Sequence, residues 1–397
     1  AVCEAGSGNA INADALQFNC PKLSHYNLFA DATDPRSGFN GNGVLFDLTT
    51  PLFSDYASKY RVLFLPQGES AQWVVGNASS PNATLDFPVG TVIAKTFSFK
   101  DGANEDVVET RLLIHRSDEK DSSFWEGLPY KWETDSSGNR TDAVLAVSGG
   151  KKSVSWNYPD PDPAVQKTYS GSTASYAIPH PNQCGSCHNN DDRQAGDAPI
   201  GPKVRLMNRP IDFGSGPVNQ LQHLCDSGYI SGCPANLAVN PATLVAANAP
   251  RLPRFDVPGD TFSIAGLQNN NASDATKHNV EVRTRAWLET NCAHCHNRKG
   301  LAGSTGVFLD VFRKVDLNYG ICKQPNTAGS ASGGRSRDIV PTSANDSIVS
   351  FRVHSEDLSI QMPPLARSVK HDEAAALVDL WINTVLDGDY NNGDCAP

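Results

Sequence analysis

Two stretches of the sequence share the spacing Cys-x-x-Cys-His, a pattern that attaches haem through thioether bonds. They consist of Cys184, Cys187 and His188, and of Cys292, Cys295 and His296. Two thiols three positions apart lie on one side of a helical turn, where they can add to the two vinyl groups of one haem. The histidine that follows can then bind the iron as its proximal ligand. The motifs therefore predict two covalently bound c-type haems.

Two other kinds of site also use paired cysteines. Two Cys-x-x-Cys pairs can hold one zinc ion in a Cys₄ site, and a single pair can act as a thiol–disulfide redox motif. Here both pairs carry the trailing histidine, and a long stretch of chain separates them. The pattern therefore favours haem over zinc and over redox cysteines.

The sixth iron ligands are predicted from the scarcity of methionine. A haem in an electron carrier usually has a second axial ligand, Met or His, and the chain has only two methionines. Met362 precedes two prolines, which restrict its loop, so we predict it as the sixth ligand of the second haem. Met207 follows the first motif and is the predicted sixth ligand of the first haem. The alternatives there are His223, His180, His278 or an open iron site.

The remaining six cysteines favour disulfides and an oxidising compartment, because they are even in number and lie outside the two motifs. The predicted pairs are Cys3–Cys20, Cys225–Cys233 and Cys322–Cys395. The chain opens on Ala1 rather than Met, as expected of a mature end left by signal-peptide cleavage. These features predict an exported protein, periplasmic or extracellular.

Charge and composition exclude some partners. The formal net charge is −10 and 39% of the residues are hydrophobic. The chain can therefore build a core but lacks the clustered basic charge that nucleic acid binding needs. No apolar run reaches the roughly eighteen residues of a transmembrane helix. The Asn and Asp side chains at 189–192 offer oxygen ligands for Ca²⁺, but their spacing does not match a ligand loop.

Hydrophobic patterning divides the chain into four segments. Residues 1–45 are polar and predict an irregular N-terminal arm, and residues 46–165 contain short runs bounded by turn residues, which predict a β-rich domain. Residues 166–280 form a first haem region, and residues 281–397 form a second haem domain. The predicted fold class is α+β, with an N-terminal β-sandwich-like domain followed by a mainly α-helical dihaem cytochrome c region.

The C-terminal segment resembles a class I cytochrome c domain in its order of elements: a helix over 281–289, the second motif, a long loop, Met362-Pro-Pro, and an amphipathic helix over 372–386. Residues 285–296 (RAWLETNCAHCH) resemble the haem-binding segment of a family of bacterial dihaem c-type cytochromes of the cell envelope. Further resemblances to that family are 51–56 (PLFSDY), 87–91 (FPVGT), 182–184 (NQC) and 200–203 (IGPK). The resemblance covers most of residues 45–390 and implies two haems, electron transfer and export.

The features above predict one-electron transfer between redox proteins in the periplasm or outside the cell. An enzyme of the dihaem peroxidase or oxygenase type would need an open iron site and a distal acid–base group, and no pair of residues stands out for that role. A third hypothesis is a cytochrome that assembles into a homo-oligomer or filament. The arm at 1–45 has too few apolar residues for its own core, so it must lie on its own β region or on a neighbouring copy.

Overall fold

The computed structural model describes residues 2–74, 83–118, 122–162, 165–188, 195–196, 198–260, 274–386 and 395. The chain forms two compact units. Unit 1 comprises Ala1–Leu48, Tyr56–Pro159 and Lys167–Ala249, and unit 2 comprises Thr49–Asp55, Asp160–Gln166 and Pro250–Pro397. The first motif belongs to unit 1 and the second to unit 2. The division into two compact units does not test whether the four predicted segments are separate domains. The four-segment division therefore stays a prediction.

Unit 1 contains all the strands found in the described residues. They are β1 (Phe29–Asp31), β2 (Asp34–Phe39), β3 (Gly43–Leu45), β4 (Ser58–Phe64), β5 (Ala71–Val74), β6 (Thr84–Asp86), β7 (Val92–Asp101), β8 (Asn104–Ser117), β9 (Ser123–Thr134), β10 (Arg140–Leu145), β11 (Gly150–Pro159), β12 (Thr168–Ile178), β13 (Ala195–Gly196), β14 (Pro210–Asp212), β15 (Pro217–Asn219) and β16 (Ile230–Ser231). Its helices are α1 (Gly185–His188), α2 (Val204–Met207) and α3 (Gln220–Asp226), with short 3-10 turns at Asp14–Gln17, Leu23–Tyr26 and Pro181–Gln183.

The largest sheet has nine strands, with β7 at its centre. β7 pairs antiparallel with β4 on one side and with β8 on the other, and β9 and β10 continue the antiparallel order beyond β8. β11 and β12 form a hairpin that meets the end of β7 at the pair Asn157–Asp101. The sheet is therefore a meander, extended at one end by a hairpin.

The two faces of the central strands differ in chemistry, because successive side chains of a strand point to opposite faces. Val62, Ala94 and Leu112 are cross-strand neighbours on one face and belong to the apolar core of unit 1. The next register row, which faces the other way, is Arg61, Lys95 and Arg111. The first face builds the core, and the second carries basic side chains, of which Arg61 pairs with Asp47 and Arg111 with Glu109.

The N-terminal arm packs on the sheet of its own chain. Leu16 and Tyr26 are buried in the same core as the central strands. Arg116 in β8 donates from Nε to the Leu16 carbonyl at 2.6 Å, and the hydroxyls of Tyr26 and Tyr130 are 2.9 Å apart. The arm thus lies on its own β region, the first of the two expectations, which removes the observation that motivated assembly with a neighbouring copy.

Unit 2 is built on three helices, α4 (Ala275–Asn291), α5 (Ile348–His354) and α6 (Asp372–Leu380), the last continued by a π-helical segment at Trp381–Val385. Short 3-10 turns lie at Gly303–Thr305, Leu317–Tyr319 and Gly329–Ser332. The helices predicted over 281–289 and 372–386 are therefore present. Trp287 from α4 and Leu377 from α6 meet in the core of this unit.

The predicted fold class is wrong. The structure is β-rich, with 30% strand, 21% helix and six short helices in the part of the chain that is described. The region after residue 166 is not mainly α-helical, because β12 extends the sheet to Ile178 and α1, α2 and α3 have only 4, 4 and 7 residues. The strands predicted within 46–165 belong to the nine-stranded sheet and to a small three-stranded sheet. The signal of β12 was missed because most of its side chains are small and exposed, and only Tyr169, Tyr176 and Ile178 are buried.

The three predicted disulfides are confirmed: Cys3–Cys20, Cys225–Cys233 and Cys322–Cys395. Disulfides form and persist in oxidising compartments, so the pairing is consistent with an exported protein. Among the described residues, no helix combines the length and the apolar character that crossing a membrane requires.

Candidate functional sites

The first motif follows directly on the sheet of unit 1. β12 ends at Ile178, a 3-10 turn spans Pro181–Gln183, and α1 spans Gly185–His188. The amides of Cys187 and His188 donate to the Cys184 carbonyl at 3.1 and 3.0 Å. A single helical turn therefore joins the two cysteines to the histidine.

The second motif begins where α4 ends. The Asp274 side chain caps the start of α4 by accepting from the amides of Thr276 and Lys277, and Cys292 is the C-cap residue. The amides of Cys295 and His296 donate to the Cys292 carbonyl at 3.1 and 2.8 Å. The same turn of backbone is therefore built in both units, in one case after a strand and in the other after a helix.

Both histidines are oriented in the same way by a backbone carbonyl. Nδ1 of His188 is 2.8 Å from the Ala198 carbonyl oxygen, and Nδ1 of His296 is 3.2 Å from that of Val307. A carbonyl oxygen only accepts, so each Nδ1 carries a proton, and in the neutral ring Nε2 then carries the lone pair. Metal-ligating histidines are typically held by such a bond from their other nitrogen. Burial lowers the pKa of His296 to about 4, which keeps its ring neutral at pH 7.

The four motif cysteines lie outside the three disulfides. Cys292 packs against the apolar core of unit 2, and burial raises the pKa of its thiol to about 12. The disulfides thus account for the six other cysteines and leave each motif with both of its thiols.

The loop that carries Met362 is held by two arginines whose charges reach the second motif. The Met362 amide donates to the Arg352 carbonyl at 3.0 Å, and Nη2 of Arg367 donates to the Met362 carbonyl at 3.0 Å. The charge of Arg352 contributes to the lowered pKa of His296, and that of Arg367 favours the ionised form of Cys292. The Met362 backbone is therefore fixed by residues that lie within electrostatic range of the second motif.

Residues 49–55 fasten this loop and the second motif together, a role that sequence reasoning missed. The Phe53 amide donates to Oδ1 of Asn291, the residue before Cys292, at 2.8 Å. The Asp55 carboxylate accepts from the amide and hydroxyl of Ser368, each at 2.7 Å. In the sequence this segment is marked by the PLFSDY run at 51–56, whose resemblance to the dihaem family implies no role in fastening.

The candidates for the sixth ligand of the first haem lie in different settings. Met207 ends α2 and is 1% exposed, and its carbonyl accepts from Nε2 of Gln220 at 2.9 Å. His223 lies in α3 and stacks on Phe213 with ring centroids 3.9 Å apart. His180 precedes the 3-10 turn before the first motif, and His278 lies in α4 of unit 2. Met207 and His223 are thus built into the packing of unit 1.

The Ca²⁺ prediction at 189–192 lies outside the described residues. Comparisons of the chain with models of known protein families, with curated proteins and with solved structures found no match.

Proposed function

We propose that this chain is a dihaem c-type cytochrome that transfers single electrons between redox proteins in the periplasm or outside the cell. Haem supplies an iron centre that cycles between ferric and ferrous states. The cysteines of each motif would hold the group covalently, and His188 and His296 would bind the two irons through Nε2.

One observation carries the proposal. In two separate units, built from different elements, a Cys-x-x-Cys-His turn is followed by a backbone carbonyl that accepts a hydrogen bond from Nδ1 of its histidine. The partners are Ala198 in one unit and Val307 in the other. A histidine that merely fills a core has no need of the same tautomer, the same preceding turn and two reduced cysteines. The repeated arrangement is what two proximal haem ligands require.

The chain's residues also suggest how the second haem would be tuned. A methionine ligand favours ferrous iron and raises the reduction potential. Met362 is on a loop held by Arg352, Arg367 and Asp55, so its thioether would be presented by a fixed backbone. The second haem would then have the higher potential if the first haem lacks such a ligand.

The test is the mass of the intact protein after expression in a host that attaches c-type haem. We expect the mass of the polypeptide plus two haems, with no haem extracted by acidified acetone. Replacing Cys292 and Cys295 by Ser should remove one haem and keep the other. Extractable haem, or zinc in place of iron, would contradict the proposal.

The absorption spectrum of the ferric protein separates electron transfer from catalysis. Two six-coordinate, low-spin haems are expected of an electron carrier. A high-spin haem that binds peroxide or oxygen would instead favour the dihaem enzyme, which needs a vacant iron position.

A further inference from the structure

The segment that follows the second motif is basic, although the protein as a whole is acidic. Residues 297–323 contain five basic and two acidic side chains, whereas the whole chain has a formal net charge of −10. The basic residues are Arg298, Lys299, Arg313, Lys314 and Lys323. Lys323 pairs with Asp338 at 3.3 Å, and both side chains are nearly buried. Four cations remain, of which Arg298, Lys299 and Lys314 are exposed.

Backbone hydrogen bonds hold this segment against the second motif. The Ala302 amide donates to the Cys295 carbonyl at 3.1 Å, and the Leu309 amide donates to the His296 carbonyl at 2.9 Å. The segment therefore folds back on the motif within unit 2. A haem attached at Cys292 and Cys295 would be bonded to the residues that this segment contacts directly.

Phe308 brings two of the cations together. The guanidinium carbons of Arg298 and Arg313 lie 5.8 and 5.0 Å from the centroid of its ring. Arg313 also pairs with Asp310 at 2.9 Å, so part of its charge is offset. A planar guanidinium that stacks on an aromatic ring is pre-organised and can still bind a carboxylate through its N–H groups.

Two exposed leucines accompany these cations. Leu301 is 72% exposed and lies three positions after Arg298, and Leu317 is 57% exposed. The Phe308 amide donates to the carbonyl of Asn318, the residue after Leu317, at 2.8 Å. Exposed apolar groups beside arginines are typical of protein interfaces. We call the exposed part of this segment the basic surface; it comprises Arg298, Lys299, Leu301, Arg313, Lys314 and Leu317.

We propose that the basic surface docks an acidic one-electron carrier protein, which exchanges electrons with the haem at Cys292 and Cys295. The inference rests on the proposed function and adds to it the kind of partner at the second haem. Complementary charge steers the encounter of two proteins and raises their association rate. Weak electron-transfer encounters use small interfaces, whereas permanent interfaces between copies of a chain are larger and more apolar. Four cations and two leucines fit the first kind.

The sign of the salt dependence separates this surface from the charge of the whole chain. If the net charge of −10 governed the encounter with an acidic carrier, added salt would screen a repulsion and the reaction would become faster. If the basic surface governs it, salt screens an attraction and the reaction becomes slower. Charges act over only about 8 Å at physiological ionic strength, so those at the point of contact outweigh distant ones.

The test uses the full chain with both haems attached and reduced flavodoxin, a small acidic flavoprotein, as the probe. The reduced flavin gives up one electron, and one ferric iron becomes ferrous. Stopped-flow absorption gives the second-order rate constant at each ionic strength, and we expect it to fall as salt is added. Replacing Arg298 and Lys299 together by Gln should lower it about tenfold at low ionic strength and weaken its salt dependence.

The matched control replaces Lys131 and Lys151 together by Gln. These are exposed lysines of β9 and β11 in unit 1, so the net charge of the chain changes by the same amount. The control should have a much smaller effect on the rate constant. If the two double variants react alike, or if the rate constant of the original chain rises with salt, the docking surface is overturned while the proposed function stands.

Two further measurements separate the remaining outcomes. If mass spectrometry finds no covalent haem, the proposed function is overturned; calorimetric binding of oxidised flavodoxin at low ionic strength then tests the surface alone, and equal binding by the two double variants would overturn it. Light scattering on the chain alone tests a second copy as the occupant. Self-association that is lost when Arg298 and Lys299 are replaced would overturn the assignment to an acidic carrier.

Discussion

Oδ2 of Asp55 accepts a hydrogen bond from Oγ of Ser368 at 2.7 Å, although 313 positions separate the two residues along the chain. Oδ1 of the same carboxylate accepts from the amides of Ser368 and Val369 at 2.7 and 3.1 Å. Asp55 has a φ of 52°, a left-handed conformation that Asp and Asn adopt more readily than most residues. Its carboxylate therefore holds the end of the loop that begins at Met362.

We expect Asp55→Asn to destabilise the protein by about 1–3 kcal/mol, because the amides of Ser368 and Val369 then meet a neutral acceptor and the oxygen that accepts from the Ser368 hydroxyl is replaced by an NH2 donor. Asn suits the left-handed backbone, so the change isolates the carboxylate. Urea unfolding gives the stability. Asp357→Asn is the matched control, since Asp357 is exposed and accepts from the amide and hydroxyl of Ser359 in a similar local arrangement. Equal effects of the two substitutions would contradict a fastening role for Asp55.

Met362→Ala should leave both haems covalently attached and lower one midpoint potential, since loss of the thioether removes a ligand that favours ferrous iron. The opened position should then bind added cyanide or imidazole. Spectroelectrochemical titration and ligand binding measure the two effects. Leu365→Ala, in the same loop, is the control for loss of side-chain volume. An unchanged spectrum and potential would remove Met362 from the ligand set.

Met207 needs a different substitution because it is buried. Met207→Ala would leave a cavity, at a cost of about 2–5 kcal/mol, and so confuse packing with ligation. Met207→Leu keeps the volume, with an expected cost below about 1.5 kcal/mol, and removes the sulfur. We expect a high-spin haem to appear in the ferric spectrum while the unfolding midpoint changes little. A spectrum identical to that of the original chain would assign Met207 to the core and make His223 the next residue to replace.

Arg285 and Glu281 form a fully buried pair at 3.5 Å on α4, and Nη2 of Arg285 also donates to the carbonyls of Val311 and Arg313 at 2.7 and 2.5 Å. Arg285→Met should destabilise the protein by about 3–5 kcal/mol, because it removes one partner of a fully buried ion pair. The double variant Glu281→Leu with Arg285→Met should recover part of that loss. If thermal unfolding shows the double variant to be less stable than the single one, the loss of stability in Arg285→Met comes from the lost contacts with the two carbonyls and not from the broken ion pair.

The sequence by itself determined the features that depend on short spacing or on residue chemistry. Cys-x-x-Cys-His needs only five consecutive residues, so both motifs were evident, and the structure then gave them matching turns. The two strongest helices were predicted because an amphipathic pattern is local. The disulfides followed from an even count of cysteines outside the motifs, together with the nearness in sequence of Cys3 to Cys20 and of Cys225 to Cys233.

Only the tertiary structure decided which distant segments share a surface. The mainly helical second half was a wrong prediction because β12 is stabilised by its pairing with β11, and the polar arm was read as irregular although Leu16 and Tyr26 reach the core of the sheet. Lys59, Lys95 and Arg111 look like ordinary surface charges when read one at a time. Strand register places all three over the ring of Phe97 on β7. Register is fixed by which face of each strand is buried, a property of the assembled sheet that no local spacing contains.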